Sequence, residues 1–134
     1  MRFIVPIGLA VLALGTAGCT RQTTASNDFT GAKKDAAQVV LDLSDDATRN
    51  RPADVCDDVL SERLQTAVAG DSSCISEVKK AFDDADTNSI EVDDVTIAGS
   101  GATVAVHTDA DGADVKRTFK LVREDGDWRV DSFG

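Results

Sequence analysis

Cys19, Cys56 and Cys74 are the chain's only thiols, His107 is its only imidazole, and there is no tyrosine. Thiols can be acylated, oxidised to a disulfide or bound to zinc. A zinc site needs about four ligands, and a single distant histidine does not complete one, so no metal and no cofactor are expected. Cys56 and Cys74 read as a disulfide if the chain is exported, with two buried free thiols as the alternative. Twenty of the 24 acidic residues are aspartate. One of them, held in a cavity with a raised pKa, could act as a base, but no position singles itself out and no catalytic residue is assigned. Asp109 to Asp114 superficially resembles a calcium loop. Its glycine is misplaced and the twelfth position is Lys120, so a hairpin turn is the reading. His107 follows the alternating Ala102, Val104 and Val106 and falls on the opposite, outward face. Trp128 falls inward on the last strand, where an aromatic fills core or lines a pocket.

The N-terminus supplies an address. Met1-Arg2 is positive, Phe3 to Leu14 is almost wholly apolar, and Gly15-Thr16-Ala17-Gly18 is small. This is the layout of a secretory signal peptide. The apolar run is shorter than the roughly 20 residues of a membrane span. Ala17-Gly18-Cys19 resembles the bacterial lipobox, with Thr16 standing where that motif usually has leucine. The resemblance implies that Cys19 is lipidated and becomes the mature N-terminus, on the outer face of the cell membrane. Ordinary cleavage leaving a spare cysteine is the alternative. Two or three acyl chains anchor stably where one is marginal.

Composition narrows the partners. Fourteen Lys and Arg against 24 Asp and Glu give a formal charge of −10. Nucleic-acid affinity comes mainly from cations that neutralise phosphates, so no nucleic acid is expected. The acidic surface also argues against a peripheral grip on anionic lipid headgroups. Residues 1–18 are therefore read as a leader, 19–27 as a Ser/Thr/Gln-rich tether, and 28–134 as one domain.

The elements follow from periodicity. Phe29, Ala32, Ala36, Val40, Leu43 and Ala47 are spaced as one face of a helix ending before Pro52, with Asn27 or Asp28 as its cap. Pro52 opens a helix to about Leu60. Ser61 caps a continuation stopped by Gly70, and Asp71-Ser72-Ser73 opens a helix through Ala85. The period then changes to two. Strands carry Ile90 to Ile97, Ala102 to Val106, Val115 to Val122, and Trp128 to Val130. A bulge or bend is expected at Asp93-Asp94, and turns at Gly99-Ser100-Gly101, Asp109–Asp114 and Asp125-Gly126. Phe133 is expected to point away from Trp128 and Val130, or to pack against the helices at the sheet end. Helices before an antiparallel meander make an α+β layout.

A long helix, short helices with a cysteine pair, and strands ending in Leu121-Val122-Arg123-Glu124-Asp125-Gly126-Asp127-Trp128-Arg129-Val130-Asp131-Ser132-Phe133 resemble the nuclear transport factor 2-like (NTF2-like) superfamily. More narrowly, they are similar to its small actinobacterial lipoproteins. The resemblance implies helices packed on a curved four-stranded sheet, forming a cone with a cavity at its open end. It also implies isomerases, lyases, non-catalytic binding modules and homodimers joined through the sheet as possible relatives in function. The expectation taken forward is a lipid-anchored, non-enzymatic module binding a protein or small molecule. Trp128, Phe119, Phe82 and Val104 are its expected pocket lining. A small lyase or isomerase using a cavity aspartate is the alternative. Fold does not choose between them.

Overall fold

The computed structural model describes residues 29–85, 89–110 and 112–134. The leader, the lipobox with Cys19, the tether and the expected caps Asn27 and Asp28 lie outside the described residues.

Helix α1 (Ala32–Thr48) buries Ala36, Ala37 and Val40 and turns its aspartates to solvent. It begins three residues later than the spacing alone indicates. Gly31 precedes it at φ 60°, and no side chain caps it. A left-handed φ suits glycine, which lets the chain turn sharply into the helix. Phe29 lies before the helix and packs against the core. At the other end Asn50 takes φ 55° and Arg51 (φ −115°, ψ 68°) lies outside the α region ahead of Pro52, which disfavours a helical neighbour.

Pro52 starts a single helical turn, α2 (Pro52–Asp54), which widens into a π-helical turn over Val55–Val59. Leu60 N–H reaches back five residues to the Val55 carbonyl at 2.9 Å. This extra residue per turn replaces the plain helix expected to Leu60. It places Val55, Cys56, Val59 and Leu60 all in the core. Helix α3 (Glu62–Ala69) follows with Ser61 as its cap. Helix α4 (Cys74–Asp84) follows with Ser73 as its cap. A disulfide joins Cys56 in the π-turn to Cys74 at the start of α4, with Cα atoms 6.1 Å apart.

Strands β1 (Glu91–Ala98), β2 (Gly101–Ala110), β3 (Ala113–Glu124) and β4 (Asp127–Phe133) form one antiparallel meander in that order. The Asp125-Gly126 turn has φ 52° and 88°, the two positive values a tight hairpin of this kind requires. The β2–β3 hairpin is longer than the sequence indicated: pairing runs to Ala110 and Ala113.

Two bulges bend the sheet around the helices. In β1, Val92 pairs with Val106 and Asp94 with Ala105, so Asp93 is the extra residue. In β4, Val130 pairs with Leu121 and Ser132 with Lys120, so Asp131 is the extra residue. The second bulge resets the alternation. Phe133 therefore sits opposite Phe119, on the same face as Trp128 and Val130. The core between sheet and helices is aliphatic, with Val40, Val55, Leu60, Val95, Val104, Val106, Leu121 and Val130 almost fully buried.

Candidate functional site

The core does not fill the cone to its wide end. A cavity of about 290 Å³ opens there between α1, α3, α4 and the concave face of the sheet. Each wall follows from periodicity. Helix α1 contributes Leu43, Ser44 and Ala47, and α3 contributes Val68. Helix α4 turns Glu77, Val78, Ala81 and Phe82 toward the space, positions one turn apart. Val55 and Leu60 close the floor, and Val106, Phe119 and Phe133 line the sheet side. Phe119 and Phe133 meet edge-to-face, with centroids 5.4 Å apart. Gly134 exchanges both backbone hydrogen bonds with Thr118, which holds the end of β4 beside that pair.

The polar side chains of the lining are Ser44, Glu77, Thr108 and Arg117. Among the described residues, no aspartate and no histidine contributes to it. The aspartates gather elsewhere. Asp42, Asp45, Asp46, Asp54 and Asp58 wall a separate cleft beside α1 and α2. Burial, then the charges of Asp54 and Asp42, raise the pKa of Asp46 there, opposed by Arg51. The cleft's lining offers no basic or hydroxyl side chain to complete a catalytic set.

The four residues expected to line one pocket do not converge. Phe82 and Phe119 line the cavity. Val104 is completely buried in the core, away from the lining. Trp128 is also buried, but it borders a polar groove with Asp35, Gln38 and Arg129. Arg123 stacks over its ring at 4.4 Å, a cation–π contact. Arg117, Glu77 and Phe133 are lining residues that sequence reasoning missed. For Arg117 a signal existed: Val115, Arg117, Phe119 and Leu121 are alternate residues of one strand, and the inward row contains a charge.

His107 lies on the convex face. The bulge at Asp93 brings that carboxylate to 2.7 Å from Nδ1, and Glu91, its cross-strand partner, lies 2.5 Å from Nε2. The hydrogen bond to Asp93 chiefly raises the His107 pKa, with the charge of Asp93 and the hydrogen bond and charge of Glu91 adding to it against partial desolvation. A raised histidine stabilises the fold fully below its unfolded value of 6.5, and the gain is lost as pH rises through the folded value. Urea midpoints should therefore fall for the wild type as pH rises above the unfolded value of 6.5, and fall less for Asp93→Asn. Equal slopes in both proteins would remove this role. Among the described residues, no group of three or more His, Cys, Asp or Glu side chains is placed to hold a metal ion. Nor is any described helix long and apolar enough to cross a membrane.

The architecture is that of a known fold. It is similar to a de novo designed NTF2 fold protein, NT-9, at a TM-score of 0.55 and 11% identity, covering 78% of this chain and 87% of that one. At that identity the likeness concerns fold alone, and together with helices leading into a curved antiparallel sheet it defines an NTF2-like fold. No protein-family model matches the sequence, and no curated protein does.

Proposed function

We propose that this domain is a non-enzymatic binding module of the bacterial envelope, held by lipid on Cys19, that takes a small, largely apolar molecule into its cone. The cavity carries the proposal. It is a concave, mostly apolar space with a few polar groups at its edge, the usual composition of a small-molecule site. A lyase or isomerase would need a base positioned in that space. Among the described residues, the only carboxylate in the lining is Glu77, and no histidine or tyrosine accompanies it. The anchor rests on Ala17-Gly18-Cys19 and on an acidic surface that offers anionic lipid no grip. The Asp-, Ala- and Val-rich composition and the strand ending quoted above support a place among small actinobacterial lipoproteins.

Filling the cavity tests the binding role. Full-length protein in zwitterionic nanodiscs, with empty discs as the blank, should bind the neutral fluorophore N-phenyl-1-naphthylamine saturably. Ala47→Phe places a ring in the space beside Leu43 and should weaken that binding at least about tenfold, equivalent to about 1.4 kcal/mol, while the unfolding midpoint is retained. Unchanged affinity in the variant would place the ligand elsewhere. The anchor is tested separately: Cys19→Ser should move the protein from the membrane fraction to the soluble fraction, and continued membrane association would exclude lipid on Cys19.

A further inference from the structure

We infer that the ligand of this cavity is an anionic amphiphile, a monocarboxylate with an alkyl tail, whose head is held by Arg117. The inference rests on the cavity being the binding site and specifies what it takes. Arg117 pairs with Val106 across β2 and β3, and directly paired residues share a face. Val106 is buried on the concave side, so Arg117 stands on that side too, two residues before Phe119 and at the cavity's edge.

Its state is unlike that of the other arginines described. Arg49, Arg51 and Arg63 are paired with Asp45, Asp54 and Asp131. Arg123 donates to the Gly126 carbonyl and covers Trp128, and Arg129 donates to the Asp57 carbonyl. Arg117 has no ion pair, hydrogen bond or ring contact among the described residues, in a chain with a formal charge of −10. Glu77 borders the same cavity without forming a salt bridge to it. The arrangement leaves a guanidinium fork at the mouth of an apolar space. A carboxylate matches that fork with two parallel hydrogen bonds. Thr108 lies on the same face, diagonal to Arg117, with a hydroxyl able to donate a further bond to the head. The tail then occupies the space among Phe82, Phe119 and Val68. Glu77, across the mouth, disfavours a second negative charge, which selects a monoanion over a dianion.

The test separates head from tail. Octanoate, octan-1-ol and acetate are titrated by calorimetry into the full-length protein in zwitterionic nanodiscs, with empty discs subtracted. Octanoate should bind at least tenfold tighter than octan-1-ol, and acetate should not bind detectably. Arg117→Gln should abolish the octanoate preference, bringing octanoate down to the octan-1-ol level, and Arg117→Lys should keep part of it. The octanoate affinity should fall with added salt and the octan-1-ol affinity should not. Equal affinities for octanoate and octan-1-ol in the wild type, or an undiminished preference in Arg117→Gln, would overturn this inference and leave the apolar cavity role standing. Absence of binding by either eight-carbon compound would overturn both.

Discussion

Removing the Cys56–Cys74 bridge, by reduction or by Cys56→Ala with Cys74→Ala, should lower the unfolding free energy by about 3 kcal/mol and the melting temperature by more than about 10 °C. Two features make this a large effect. The bridge spans 18 residues of sequence and encloses all of α3, so cutting it frees a sizeable loop in the unfolded chain. It also ties α4 to the domain where α4 has little else. Val78 is the only buried residue of that helix, Phe82 is partly buried, and Ile75 is 47% exposed. Helix α4 is a wall of the cavity, so the consequence extends beyond stability. Amide exchange in α4 should accelerate first on reduction, and binding of apolar probes should weaken before global unfolding. A reduced protein with the same melting temperature and the same α4 protection would mean that packing alone holds this wall.

The helices and hairpins could be read from the chain because their signals are local. Ser61 and Ser73 stand one residue ahead of α3 and α4 and accept the Leu64 and Ser76 N–H groups. Asp125-Gly126 carries its own turn conformation. The Asp93 bulge was legible because two aspartates interrupt the alternation between Val92 and Val95. The π-turn was not, since Val55, Cys56, Val59 and Leu60 fit an α-helical stripe nearly as well. What widens the turn is its setting: Leu60 must leave the helix extended and bridge to Val130. The Asp131 bulge was equally hidden. Val130-Asp131-Ser132-Phe133 alternates acceptably with no insertion, and the residues that hold Asp131 out of register lie some 70 positions earlier. Missing that bulge misplaces Phe133, and with it one wall of the cavity.

The clamp on that bulge is where a single substitution should do most at a distance from its own contacts. Ser61 is 1% exposed. Its hydroxyl donates to Asp131 Oδ1 at 2.7 Å and accepts the Leu64 N–H at 3.1 Å, so it caps α3 and fixes β4 at once. Arg63 holds the same carboxylate from the solvent side, at 3.1 Å from Nε and 2.9 Å from Nη2, and also donates to the Asp131 carbonyl. Glu124 takes the Glu62 N–H, satisfying another free donor of the first turn. Ser61→Ala should cost about 2 kcal/mol, roughly half from the lost cap and half from the lost bond to a charged group. The hydrogen bond from Arg63, then that from Ser61, lowers the Asp131 pKa. Its contribution is therefore present above the unfolded value of 3.8 and is lost as pH falls through the lower folded value. Ser61→Ala should begin acid unfolding at higher pH than the wild type. In a double-mutant cycle with Asp131→Asn, the coupling should exceed about 0.5 kcal/mol, as for residues in direct contact. If the two substitutions are additive and the edge-to-face contact of Phe133 with Phe119 is kept in both, the clamp does not set the register. If they are coupled and the contact between Phe133 and Phe119 is lost, Ser61, through Asp131, governs the aromatic wall of the cavity.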